Sequence, residues 1–140
     1  ELCRRYCLSS LKKSAPIASS FELAQILIGE MSHLTKENFL LLTLDTKNKL
    51  IKQHTLFIVT LNQAIVHPRD IFRQALLDNA ARIICVHNHP SGHPAPSTND
   101  HAVTKRINIV GQEIGIPLLD HLIIGDNHYF SYAEETDYLQ

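Results

Sequence analysis

Apolar residues recur along this chain with two different spacings, and the change from one to the other marks out its elements. Leu23, Ile26, Leu27 and Met31 form a helical stripe, and Ser19-Ser20-Phe21-Glu22 has the S-x-x-E spacing of a capping box. A helix is therefore expected from about 20 to 32. Asn38 to Leu44 is a continuous apolar run that ends at Asp45-Thr46-Lys47-Asn48, whose Asp and Asn favour a turn. Leu50 to Leu61 is rich in β-branched and apolar residues, so the two runs predict a hairpin. Pro68 then opens a helix to about Asn79, with Ile71, Ala75 and Leu76 at helical spacing. Arg82 to His87 reads as a buried strand. Ser97 stands at an N-cap position, and Val103, Ile107, Val110 and Ile114 continue a helix that Gly115 and Pro117 stop. Leu118 to Ile124 and Tyr129 to Tyr132 are two closing strands around Gly125-Asp126-Asn127. Residues 2 to 13 read as a short linker helix with basic spots at Arg4, Arg5, Lys12 and Lys13. Strands interleaved with helices predict an α/β sandwich.

The strand ending at His87 runs into His87-Asn88-His89-Pro90, followed by Ser97 and Asp100. Alternation along extended chain puts His87 and His89 on one side, so both can reach one ion. Asp100, in the first turn of the next helix, can return as a third ligand across the Pro/Gly/Ser-rich loop Pro90 to Pro96. Two imidazoles and one carboxylate suit Zn²⁺, and catalytic zinc sites take three protein ligands and leave a position for water. On this composition an H-x-H pair alone is expected roughly 0.6 times, whereas the full pattern arises on the order of once in ten thousand chains. Ser97 and Asp100 are also favourable at a helix start without any metal, but that explanation leaves both histidines unused.

The pattern H-x-H-P-x6-S-x2-D resembles the metal-binding signature of the JAMM (JAB/MPN) metalloprotease-like domains. The longer run His87 to Gly92 with Pro94, Pro96 and Ser97 is similar to their bacterial RadC branch. Further similarity lies in Asp45 to Asn48, His67-Pro68-Arg69-Asp70 and Leu119 to Ile123, so it covers roughly residues 35 to 135. The resemblance implies a three-layer α/β/α sandwich with a mixed sheet, of cytidine-deaminase-like layout, over residues 34–140. Residues 1–33 are then linker helices: the tail of an upstream helical segment and the first helix of the domain. The absence of an initiator Met fits a domain excerpt.

The resemblance further implies a zinc-dependent hydrolase acting on a peptide or isopeptide bond, with Zn²⁺ on His87, His89 and Asp100. Zinc chemistry also needs a carboxylate to move the proton of the attacking water. In JAMM domains a Glu at the start of the first core strand does this, and Glu37 matches it; on residues alone Glu37 is equally a charged strand end. Glu30 and Glu22 read as helix-surface and capping residues. The family reading gives the Ser97 hydroxyl a role in stabilising the oxyanion. Asp120 either receives the second ring N–H of a metal-bound histidine or simply ends a strand at the surface. His121, beside Asp120, and His128 are weaker candidates for the site, and His93 either lines the substrate cleft or is a solvated loop residue, the latter being favoured. Asn88 replaces the Ser common in deubiquitinating relatives and agrees with the RadC branch, which argues against ubiquitin-type substrates.

Composition narrows the rest. A chain of 140 residues fits one domain, and its net charge of −1 shows no global bias toward phosphate backbones. The RadC resemblance carries a DNA-repair association, with nucleic acid bound through an upstream helix-hairpin-helix segment. Here Arg69, Arg73, Arg82, Lys105 and Arg106 form the only candidate basic cluster, and it reads better as a solvated face. Three cysteines, Cys3, Cys7 and Cys85, leave an odd thiol, which favours a reducing, cytoplasmic setting. No membrane span or cleavable signal is visible. A hairpin edge strand can pair with a second copy in a homo-oligomer. Zinc deaminases need H-x-E and P-C-x-x-C, which are absent, and there is no G-x-S-x-G, Walker A or G-x-G-x-x-G.

Overall fold

A computed structural model describes residues 16–59 and 66–139. The helix expected over 2–13, with Cys3 and Cys7, lies outside the described residues, as does the end of the run expected to reach Leu61. The described elements follow the order α1 (Ser20–Met31), β1 (Glu37–Leu44), β2 (Leu50–Val59), α2 (Pro68–Leu77), β3 (Arg82–Asn88), α3 (Thr98–Ile114), β4 (Leu118–Ile124), β5 (Tyr129–Ser131) and α4 (Tyr132–Glu135). The strands form one mixed sheet in the order β2-β1-β3-β4-β5. β1 is antiparallel to both β2 and β3, β3 is parallel to β4, and β4 is antiparallel to β5.

The unbroken apolar character of β1 and β3 has a simple cause: both faces of the sheet are covered. Leu40, Leu42 and Leu44 of β1 and Ile84 and Val86 of β3 face α1, packing on Leu23, Leu27 and Met31. Phe39, Leu41, Ile83 and Cys85 alternate to the other face, where Ile71, Phe72 and Ala75 of α2 and Ile107 of α3 cover them. This is an α/β protein: among the described residues α1 covers one face of the sheet, and α2 and α3 cover the other.

Local chemistry sets the boundaries. Ser19 Oγ accepts the Glu22 N–H at 3.2 Å to start α1. Asp45 Oδ1 accepts the N–H groups of Lys47 and Lys49 at 2.8 and 2.9 Å, closing the β1–β2 turn, with Asn48 in left-handed backbone at φ 60°. Arg82, which the sequence placed in a basic cluster, donates instead to the Thr46 carbonyl and Asn48 Oδ1 of that turn, each at 3.0 Å. Two apolar positions of the expected helical stripes face outward: Leu76 is 60% exposed and Ile114 43%. Each sits in the last turn of its helix. The strand expected to reach Tyr132 stops at Ser131, because the Ser131 hydroxyl accepts the Glu134 N–H at 3.1 Å and starts α4.

The connection that matters most is β3–α3–β4. Parallel strands need a crossover, and here the crossover is α3. The loop after β3 and the N-terminus of α3 therefore meet at the carboxyl ends of β3 and β4, where open α/β sheets place their ligands.

Candidate metal centre

β3 ends at Asn88, so His87 is its penultimate residue and His89 follows immediately, held by its own N–H to the Ile124 carbonyl at 2.9 Å. The loop then returns through Gly92, whose backbone is left-handed at φ 89° and whose carbonyl accepts the Asp126 N–H at 2.8 Å. A Cβ on Gly125 would lie 2.4 Å from that carbonyl oxygen and 2.8 Å from Pro94 Cδ, so only glycine lets the loop lie this close. At the far end of the loop Ser97 caps α3. Its Oγ accepts the Asp100 N–H at 3.1 Å while Asp100 Oδ2 accepts the Ser97 N–H at 2.8 Å, a reciprocal capping box.

These backbone contacts, with the pairing of β1 beside β3, bring four side chains to one place. Ligand atoms of Glu37, His87, His89 and Asp100 all lie within 4.8 Å of one another. His87 Nε2 is 3.1 Å from His89 Nε2 and 3.2 Å from Asp100 Oδ1, and His89 Nε2 is 3.2 Å from Asp100 Oδ2. Zinc bonds of 2.0–2.1 Å in a tetrahedron put ligand atoms about 3.3 Å apart, so the spacing of the two ring nitrogens fits that ion, and the Asp100 carboxylate faces each ring with one of its oxygens. Glu37 Oε1 stands further off, 3.7 Å from His87 Nε2, on a side chain that is 34% exposed and so faces the open side.

The second nitrogen of each histidine is already assigned. His89 Nδ1 lies 2.9 Å from the His93 carbonyl, which can only accept, so Nδ1 carries the proton and Nε2 keeps its lone pair. His87 Nδ1 lies 2.8 Å from Nε2 of His121, a ring that is 1% exposed. His121 Nδ1 in turn lies 2.6 Å from Thr104 Oγ1, which donates to the Asp100 carbonyl at 2.7 Å. Burial, followed by the nearby His87 ring, holds the pKa of His121 well below the ordinary histidine value. Asp100 behaves oppositely. Burial opposes its ionisation, but the adjacent His87 and His89 side chains and the Ser97 N–H outweigh that and hold it far below the usual carboxylate range. The Asp100 hydrogen bond raises His89, against the opposing effect of its own burial.

Of the residues singled out from sequence, Glu37, His87, His89 and Asp100 converge, and Ser97 stands beside them as the N-cap of α3. Asp120 does not reach a ring nitrogen. It accepts hydrogen bonds from Ser20 Oγ, from Ser131 Oγ at 2.6 Å, and from the N–H groups of His121 and Ala133 at 2.7 and 3.0 Å. That ties α1, β4 and α4 together. The ring partner of His87 is the next residue, His121, which the sequence offered beside Asp120 as a weaker candidate without a stated role. His93 is exposed and contributes only its carbonyl; His128 is exposed in the β4–β5 turn. Glu22 and Glu30 lie on α1, across the sheet, and Glu30 is buried rather than at the surface. Asn88 is buried: its Oδ1 accepts the Asn38 N–H at 2.7 Å and its Nδ2 donates to the Lys36 carbonyl at 3.0 Å.

Fold and site together define a JAB-type α/β domain with a histidine–carboxylate cluster at the carboxyl edge of its sheet. The chain belongs to the RadC-like JAB domain family, whose model matches residues 17–137. It is 47% identical over 135 residues to a UPF0758 protein of Bacillus licheniformis, covering 96% of this chain and 60% of that one. A UPF0758 protein of Enterococcus faecalis is 47% identical over 134 residues, covering 96% and 57%. One from Shouchella clausii is 52% identical over 120 residues, covering 85% and 52%. The chain thus spans a little over half the length of these relatives. Among the described residues no helix is long and apolar enough to cross a membrane.

Proposed function

We propose that this domain is a zinc-dependent hydrolase that cleaves an amide bond in a peptide or protein, including an isopeptide bond. The observation that carries the reading is the convergence of His87 Nε2, His89 Nε2 and the Asp100 carboxylate, with the ring nitrogens 3.1 Å apart and a carboxylate oxygen 3.2 Å from each. Those three residues would hold the ion. Bound there, zinc would supply a water acidified to near neutral pH and a positive charge against the substrate carbonyl.

The chain's own groups complete the chemistry. Glu37, partly exposed and next to His87, takes a proton from the attacking water and passes it to the amine nitrogen as the C–N bond breaks. Ser97 Oγ accepts from the Asp100 N–H and, among the described residues, gives its own proton to no protein acceptor. That proton is free to donate to the oxygen on which charge develops. The Ser97 N–H, donating to Asp100 Oδ2 at 2.8 Å, favours the Asp100 anion. A cytoplasmic setting accords with Cys85, a buried free thiol whose pKa burial pushes up, leaving it unreactive.

The test is metal content and hydrolysis together. Wild type should bind about one zinc per chain and cleave a fluorogenic peptide amide in a chelator-sensitive way, and His89→Ala and Asp100→Ala should lose both. Equal, near-zero zinc in all three proteins ends the proposal. Glu37→Gln should keep zinc and lose cleavage; full cleavage by that variant removes Glu37 from its role.

A further inference from the structure

The buried pair His121 and Thr104 has no part in the reaction just described, yet it links two of the proposed zinc ligands. His87 Nδ1 meets His121 Nε2 at 2.8 Å, His121 Nδ1 meets Thr104 Oγ1 at 2.6 Å, and Thr104 Oγ1 reaches the Asp100 carbonyl at 2.7 Å. The path starts on the ring of one ligand and ends on the main chain of another. We infer that Thr104 and His121 are positioning residues that keep the lone pair of His87 on Nε2, facing the metal position, and so raise affinity for the ion.

The direction of the path follows from one group. The Asp100 carbonyl can only accept, so the Thr104 hydroxyl spends its single proton there. Toward His121 the Thr104 oxygen can then only accept, and His121 must carry its proton on Nδ1. Nε2 of the neutral His121 ring is left as an acceptor. His87 therefore donates from Nδ1, and its Nε2 is the nitrogen free to bind a cation. The rings are also fixed in angle. His121 stacks on Tyr132 with 17° between planes, and Phe39 stacks on His87 with 10°. Thr104 and His121 are 0% and 1% exposed, so water does not compete for these bonds.

Replacing Thr104 by valine keeps its shape and removes the hydroxyl. The His121 Nδ1–H then faces a methyl group. The ring avoids that by moving its proton to Nε2, where it donates to His87 Nδ1 and drives the His87 proton onto the metal-facing nitrogen. Thr104→Ser keeps the hydroxyl and loses a methyl, so packing and proton order make opposite forecasts for the two variants.

The inference rests on the zinc reading, but its experiment separates the two. Nitrogen-15 spectra of the imidazole rings should show His121 protonated on Nδ1 in the wild type with and without zinc. Chelator competition should show zinc affinity about 10–100-fold weaker in Thr104→Val, while Thr104→Ser stays within about threefold of wild type. His121 protonated on Nε2 in the wild type overturns the inference even if zinc binds tightly. So does Thr104→Val binding zinc as the wild type does, or weakening no more than Thr104→Ser. A wild type that takes up no zinc defeats the metal reading alone, and the ring spectrum still decides the proton order.

Discussion

Asn88 grips the main chain on both sides of Glu37: it accepts from the residue after it and donates to the residue before it. The middle residue of the His-x-His run, pointing to the opposite side from its neighbours, thus sets the height at which β1 begins beside β3. Asn88→Ala should cost about 1–3 kcal/mol of stability, since both main-chain groups are partly buried and lose their partner. It should also lower amide cleavage by about 10²-fold through misplacement of Glu37, with zinc content unchanged. Denaturant unfolding, metal analysis and a cleavage assay check the three parts, and a loss of zinc would show that Asn88 serves the histidines instead.

Gly125 is where the loop carrying His89 toward Asp100 rests on the end of β4. An alanine methyl there would strike the Gly92 carbonyl and Pro94, both backbone-bound and unable to swing aside. Gly125→Ala should therefore weaken zinc binding at least about tenfold while leaving the sheet intact. Chelator competition beside far-ultraviolet circular dichroism separates the two effects.

Proton competition at the cluster has a definite sign. Asp100 is held far below the ordinary carboxylate range, so it offers no proton for a metal to displace near neutrality. His89, raised by its hydrogen bond to Asp100, holds its proton to a higher pH than a free histidine. Zinc must displace it, so apparent affinity should fall by up to about tenfold per pH unit as pH drops through the His89 titration, which lies above that of a free histidine. Competition measurements from pH 5 to 8 should show this slope; a flat profile would remove His89 as a ligand.

A carboxylate away from the cluster, that of Asp78, contributes to acid stability. Asp78 Oδ2 accepts from His54 Nε2 at 2.6 Å and from Thr43 Oγ1 at 2.8 Å. Burial opposes its ionisation, but these bonds prevail and its pKa is lowered. The folded value lies below the unfolded one, so this stabilisation is fully present above about pH 4 and is lost as pH falls through the folded pKa. Asp78→Asn should be less stable than wild type by about 1–3 kcal/mol at pH 7, with the gap closing below pH 4. Urea titrations across that range read it directly.

Much of this architecture was legible in the residue pattern because its causes are local. The capping serines at 19 and 97, the Asp45–Asn48 turn and the Pro68 start each work within four residues, and each stands where expected. The convergence of His87, His89 and Asp100 was legible for a related reason: strand alternation and a helix start confine those side chains to a few directions. Glu37 was reached through family resemblance, since nothing along the chain links it to residues fifty positions away.

By itself, then, the order of residues determined the elements and the chemical character of the loop after β3, through forces that act between near neighbours. Only the tertiary structure decided that β1 lies between β2 and β3, which brings Glu37 beside His87. It also decided that His121, not Asp120, meets the His87 ring, and that Thr104 orders that contact. These depend on strand register, where a shift of one residue turns every side chain to the opposite face. Packing on both faces of the sheet sets that register, and packing is a property of the assembled chain rather than of any segment of it.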